Sequence, residues 1–412
     1  MMKKLLLILA ILAISMFAFS ACANDDNGNA VEKNYDIAKI DGSVLEANQQ
    51  FAFDIFQQLN SEDKNSNIFI SPLSISTALT MTYNGAASST EQAMAETLSL
   101  SGLSQDIINT SYANLLPYLQ NIDKDITLDI SNSIWIRQGR EINPDFVAIN
   151  QKDFWAEVME IDFSKDTAAD TINQWIAEAT EQKITKMISA PIDADVVMYI
   201  INALYFKGQW SEAFKSENTF DKVFTTYEGQ EQTVDMMLKN EAGEYGAGSD
   251  YQAVRLPYGN GHTAMYCILP LEGLDINDFI SNLDAEKWQT IKNSILGKDT
   301  VNLQIPRFKL DYGIKNLNDS LTALGMGEAF GEQADFSGIT DNINISKVLH
   351  KAVIEVNESG SEAAAATVVE MKETALPIEE APPTFIADRP FLFLIVDDST
   401  NSILFMGKVL NI

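Results

Sequence analysis

The sequence predicts a mixed α+β domain. Apolar residues recur at helical spacing through its first half, while β-branched and aromatic runs dominate its second half. No repeat, low-complexity tract or Pro/Ser-rich linker interrupts residues 45–412, so that span reads as one large domain. The chain has 412 residues, 46% of them hydrophobic, so a substantial core is available and wholesale disorder is excluded.

The elements follow in chain order. Met1–Cys22 reads as an export signal: Lys3 and Lys4 form the positive end, and Leu5–Phe19 is an apolar run too short for a typical membrane span. Ser20 and Ala21 stand directly before Cys22, and Phe-Ser-Ala-Cys resembles the bacterial lipoprotein box, in which the Cys carries the lipid. Residues 1–21 are therefore expected to be removed, and residues 22–44 to form a lipid-anchored tether. The polar stretch Asn24–Asn29 has nothing to bury, and its acidic residues resemble the surface-export signals of Bacteroidetes-type lipoproteins. The expected location is the bacterial envelope, as an outer-membrane or cell-surface lipoprotein facing outward.

Ala52, Ile55, Phe56 and Leu59 fall at i, i+3, i+4 and i+7, one face of a helix. Ile172, Trp175, Ile176 and Ala179 repeat the spacing, with Asn173, Gln174 and Glu178 placed on the opposite side. Strands are expected at Tyr199–Phe206, Thr263–Leu269, Val301–Ile305, Val348–Val356, Phe391–Val396 and Ile403–Phe405. Cys267 lies in the second of these and reads as an inert core thiol. Tyr258–Gly261 reads as a turn, with His262 exposed beside it, and Glu241–Asp250 as a solvated charged face. Two strands each carry one odd polar residue on an apolar face: Asn202 among Ile200, Leu204 and Phe206, and His350 among Val348, Ala352 and Ile354. Left unpaired in a core, such a group costs about 1–3 kcal/mol, and the simplest solution is that the two meet.

Composition removes several function classes. The chain has 58 acidic against 28 basic residues, a net charge of -30 and a pI of about 4.3, so it lacks the basic surface that nucleic acid requires. Two His and two Cys exclude multi-Cys zinc sites, iron–sulfur clusters and disulfide scaffolds, and leave little for His-based catalysis. No nucleophile elbow, Walker loop or His-Glu-x-x-His sequence occurs. The expectation is a protein that is not an enzyme and uses no cofactor or metal.

Glu358–Pro383 is a long excursion between two strands. Read with period two, Ser361, Ala363, Ala365, Thr367, Val369 and Met371 share one face, and both charges of that stretch, Glu362 and Glu370, lie on the other. Its second half, with Lys372, Glu373, Pro377 and Pro382-Pro383, reads as exposed. A segment compatible with both loop and strand is a candidate switch. A short helix over Ala363–Ala366 and a disordered excursion are the other readings of the same residues.

At this point the sequence resembles an inhibitory serpin, over roughly residues 45–412. The hinge Glu358-Ser-Gly-Ser-Glu-Ala-Ala-Ala-Ala366 and the segment Phe385–Ile395 match the family's hinge and signature. Asn67–Ile75, Asn202–Trp210, Ala334–Gly338 and Leu349–Ala352 match in the expected order. The resemblance implies three β-sheets with eight or nine helices and an exposed reactive-centre loop at about 358–383. It implies a hinge of Glu358, Gly360, Ser361, Glu362, Ala363, Ala364, Ala365 and Ala366, a shutter of Ser71, Ser74, Asn202 and His350, and a breach at Trp210. The implied activity is suicide inhibition of serine endopeptidases, with cysteine endopeptidases as a second class, by a chain expected to be monomeric. Counting the family's spacing forward from Glu358 puts the scissile bond at Thr374-Ala375; counting back from Pro382-Pro383 lands near Glu379-Glu380. Thr374 would suit elastase- or subtilisin-like targets, Lys372 trypsin-like ones, and Met371 or Leu376 chymotrypsin-like ones. The alternative implied by the same fold is a non-inhibitory surface binding protein.

Overall fold

The computed structural model describes residues 35–361 and 381–412. Cys22, most of the hinge (Glu362, Ala363, Ala364, Ala365, Ala366) and the expected bond region (Met371, Lys372, Thr374, Ala375, Leu376) lie outside the described residues. Nine α-helices and seventeen strands occur among those described.

Helix α1, Gly42–Glu62, starts where the Asp41 carboxylate caps the Ser43 N–H, and it buries Ala52, Ile55, Phe56 and Leu59 as their spacing predicts, with Phe51 beside them. Helix α2, Pro72–Tyr83, is buried along its whole length. It is capped by Ser71 and carries proline at its first turn. A helix surrounded by core has nowhere to send polar side chains. Thr77, Thr80 and Thr82 instead turn their hydroxyls back onto the carbonyls of Leu73, Ser76 and Ala78. In the helix Ala168–Ala179, Asn173 departs from the expected polar face. It is buried, accepts from the Met187 and Ile188 N–H groups and donates to the Ile188 carbonyl, so it fastens the following loop.

The central sheet has eight strands. In chain order they are β1 (Ile126–Arg137), β2 (Glu157–Ile161), β3 (Met198–Gln209), β4 (Phe308–Asp311), β5 (Lys315–Asn316), β6 (Lys347–His350), β7 (Val353–Asn357) and β8 (Gly360–Ser361). The expected strand Val348–Val356 is thus broken at Lys351-Ala352. One edge of β3 is filled by β1 from Met198 to Gly208. The other edge is shared. At one end β6 pairs with it in parallel, Leu349 opposite Ile201; at the other, β8 pairs with it, Ser361 opposite Gly208. Strand β8 pairs also with β7, Ser361 opposite Val356, and so stands between the two long strands.

The remaining nine strands form a second hydrogen-bonded network. Thr263–Pro270, Phe391–Asp397 and Ser402–Val409 are buried at every residue. The long strand Glu231–Ala247 pairs with Phe220–Thr225, with Leu296–Pro306 and with Tyr251–Tyr258. It therefore joins those three strands into one ladder. Cys267 is buried in this network, and burial pushes its thiol well above the usual range, in keeping with an inert core group. His262 is exposed in the turn after Tyr251–Tyr258.

Candidate functional site

The site is built along β3. At its upper end, Trp210 bridges to Tyr258 and stacks on it, with ring centroids 4.4 Å apart and planes 12° from parallel. The Trp210 backbone N–H donates to the Ser359 carbonyl at 3.0 Å, and its indole Nε1–H donates to the Asn357 carbonyl at 2.9 Å. The Phe214 N–H donates to the Glu358 carbonyl at 2.9 Å. These three bonds hold the turn from β7 into β8. Gly360 has φ +147° there, and a Cβ at this position would lie 2.0 Å from the Gly208 carbonyl oxygen, so only glycine passes between the strands. Ser361 follows with no exposed surface, its hydroxyl 2.7 Å from the Tyr258 hydroxyl.

A charged clamp closes this end. Arg307 Nε donates to both oxygens of Glu358 at 2.8 and 2.9 Å, and its Nη1 reaches Asp235 at 3.2 Å. The Thr219 hydroxyl adds a further bond to Glu358. Burial works to raise the Glu358 carboxyl, but the bonds from Arg307 and Thr219 outweigh it and hold the group below its ordinary value.

Lower on the same strand lies a neutral, buried set. The Ser71 N–H donates to His350 Nε2 at 3.1 Å, which makes that nitrogen an acceptor. The Ser71 hydroxyl donates to the Leu404 carbonyl at 2.6 Å and accepts from the Ser74 N–H at 3.3 Å. Full burial drives the His350 pKa down to about 4, so the imidazole is neutral at ordinary pH. Asn202 donates from Nδ2 to Asn132 Oδ1, and Asn132 donates in turn to the Phe154 carbonyl at 3.3 Å.

The structure thus places Ser71, Ser74 and His350 in one cluster. Asn202 lies one step past the last β3–β6 ladder pair, level with His350. Among the described residues no hydrogen bond joins Asn202 to His350, contrary to the simplest expectation. Each has its own partner instead, Asn202 the Asn132 opposite it on β1 and His350 the Ser71 N–H, and Asn202 Oδ1 and Ser74 Oγ stay buried without a partner among the described residues. Trp210, Glu358, Gly360 and Ser361 meet at the upper end. Sequence reasoning missed Arg307, Tyr258, Thr219 and Asn132. Arginine is scarce in this chain, and that scarcity was the one available signal for Arg307.

Comparison with known proteins places the same elements in a wider setting. Residues 46–412 match the family model described as Serpin (serine protease inhibitor). Human Serpin B8 is 37% identical across 89% of this chain and 98% of its own. The leukocyte elastase inhibitor of Sus scrofa is 34% identical across 88% of this chain and 98% of its own. The native-state crystal structure of the thermophilic serpin tengpin superposes with a TM-score of 0.81 at 31% identity, covering 93% of this chain and 96% of that one.

Proposed function

The chain belongs to the serpin family, many of whose members inhibit proteases, and from that premise we propose that it is a suicide inhibitor of serine endopeptidases. The observation that carries this reading is the seating of β8. Gly360 and Ser361 already stand as a strand between β3 and β7, while β3 and β6 remain zipped below. On this side of β3, β8 stands opposite Gly208 and Gln209 and β6 opposite Tyr199 to Ile201, and the seam between β3 and β7 runs from the one toward the other. Extending β8 by the small residues that follow Ser361 would fill that seam, and a strand entering it satisfies backbone groups on both sides.

The chemistry belongs to the target. Its serine oxygen attacks the Thr374 carbonyl, the Thr374–Ala375 amide breaks, and Ala375 leaves as a new amino terminus that takes the proton. Thr374 remains esterified to the protease. Insertion of the freed loop then carries the acyl-enzyme away before water can complete hydrolysis. Elastase- and subtilisin-like enzymes are the leading targets, and the likeness to a leukocyte elastase inhibitor supports the first. Cleavage at Lys372, Met371 or Leu376 would extend the range to trypsin- and chymotrypsin-like enzymes, and cysteine endopeptidases form a second class. We also propose that Cys22 anchors the chain to the bacterial envelope, with the loop facing outward. The intact mass of the mature amino terminus tests that part.

Incubation with elastase, subtilisin and trypsin, followed by denaturing gels and mass spectrometry, tests the inhibitory reading. A covalent adduct of protease plus chain, with release of a peptide beginning at Ala375, is expected. Loop cleavage with no adduct across a broad panel would replace inhibition by the non-inhibitory binding protein.

A further inference from the structure

Beside the breach, the ladder between Glu231–Ala247 and Leu296–Pro306 slips register between Glu241 and Gly243. Bulges of this kind open a sheet locally and recur at functional sites. Here the slip borders a cavity of about 330 Å³ walled by Trp210, Phe214, Val254, Leu256, Val301 and Leu303. Its size lies at the lower end of the range for small-molecule sites, and its wall is mainly apolar. Gly243 and Gly297 stand at the slip, and a Cβ at Gly297 would meet nothing within 4 Å, so the space there is not required by packing.

The charges at the rim select the ligand. Lys239 is held by the Glu212 carbonyl and lies near the Glu212 and Glu241 carboxylates, and Arg255 is held by Glu244 and Asp398. Lys298 is exposed and makes no ion pair among the described residues. The rim therefore balances three cations against Glu212, Glu241 and Glu244, on a chain whose net charge is -30. It offers an apolar floor and one cation whose charge is not offset by a direct partner.

We propose that this cavity binds a small aromatic molecule carrying a single anionic group, with the ring packed against Trp210 and Phe214 and the anion facing Lys298. Those two aromatic residues also hold the hinge, through the bonds from the Trp210 and Phe214 N–H groups to Ser359 and Glu358. An occupant that immobilises them favours the seated β8. Occupancy and hinge seating are then coupled, whatever the reactive loop does to a protease.

The test titrates the full chain with 8-anilinonaphthalene-1-sulfonate, an aromatic monoanion. Saturable binding of one molecule per chain is expected. Lys298→Glu, an exposed substitution that leaves the fold intact, should weaken it about fivefold. Gly297→Phe should abolish it by filling the space. At saturation, hydrogen exchange at the Trp210 and Phe214 amides should slow severalfold. Absence of binding, an isotherm unchanged by Lys298→Glu, or unaltered exchange at those two amides would each overturn the proposal. Because no readout involves a protease, failure of inhibition leaves the result interpretable.

Discussion

The breach and the shutter lie on the same strand, eight residues apart between Asn202 and Trp210, or about 26 Å along an extended chain. They hold it by opposite means. At the breach the decisive contact is an ion pair whose cation is part-exposed: the Arg307 side chain is 41% accessible while its partner Glu358 is 9%. At the shutter the contacts are neutral and dry, with Ser71 at 0% and His350 at 3% exposure. A charged contact in reach of water can exchange its partners for solvent at small cost. A buried neutral contact must find its replacement at once, because an orphaned polar group in the core costs the full desolvation penalty. If the proposed insertion occurs, the upper end would yield to an entering segment more readily than the middle, which would resist until a strand arrives that can satisfy it. Gly360–Ser361 is seated at the first of these, paired with both β3 and β7.

The largest effect should come from blocking passage beyond the seated residues. Ala363→Arg would place a guanidinium on the inward face next to Ser361 and require its burial without a partner. Removing an ion from water costs several kcal/mol, so the yield of covalent adduct should fall about a hundredfold or more while loop cleavage continues. Gel densitometry of adduct against cleaved chain measures it. An adduct yield equal to that of the parent would mean that insertion past Ser361 is not what traps the protease, and the distinction between the two ends would lose its functional meaning.

How much of this was legible in the sequence follows the same division. Two of the shutter residues announced themselves as buried polar groups, because Asn202 and His350 are polar residues on otherwise apolar strand faces and alternation exposes such misfits; their role, and Ser71 and Ser74, came from family resemblance. What alternation cannot give is the partner: Asn132, which takes the Asn202 bond, stands among the serines Ser131 and Ser133 and breaks no pattern. The breach was less legible. Trp210, Gly360 and the Glu358–Ala366 hinge came from family resemblance. Arg307 and Tyr258 act across sequence separations of 51 and 103 residues, which no local periodicity reaches. Strand locations were readable from β-branched and aromatic runs. The sharing of one β3 edge by β6 and β8 was not, since either strand alone would show the same alternation.

An intermediate effect separates the two ends by pH. The buried His350 has its pKa lowered from 6.5 to about 4, so the unfolded chain takes up a proton that the folded imidazole refuses. Stability contributed here is complete above about pH 6.5 and is lost as pH falls to 4, about 3 kcal/mol in all at 1.4 kcal/mol per unit. Protonation also removes the acceptor that Nε2 offers to the Ser71 N–H. Glu358 is shifted downward from 4.5, so its contribution persists above 4.5 and disappears only as pH falls through its lower folded value. Between pH 6.5 and 4.5 the shutter should therefore weaken while the clamp holds. Thermal melts across this window should show the loss in the parent and a flatter profile in His350→Gln. A profile in the variant as steep as the parent's would assign the acid sensitivity elsewhere.

The smallest effect belongs to the clamp itself. Arg307→Ala strips the cation from a largely buried carboxylate but leaves the Thr219 bond, and the part-exposed site admits water to the anion. The expected cost is about 1–2 kcal/mol, below the loss seen when a fully buried ion pair is broken. It should fall on the hinge, and faster hydrogen exchange at the Phe214 amide, which bonds the Glu358 carbonyl, is the local readout. Salt gives the sharper contrast. Raising ionic strength from 0.1 to 1 M shortens the screening length from about 10 to about 3 Å, so it should loosen the parent hinge toward the variant's level. The same salt should leave Ser71 and His350 untouched, because no charge is present there at neutral pH. Exchange at the Ser71 amide that accelerates with salt in step with Phe214 would show that the two ends open as one unit, and the division drawn between them would fail.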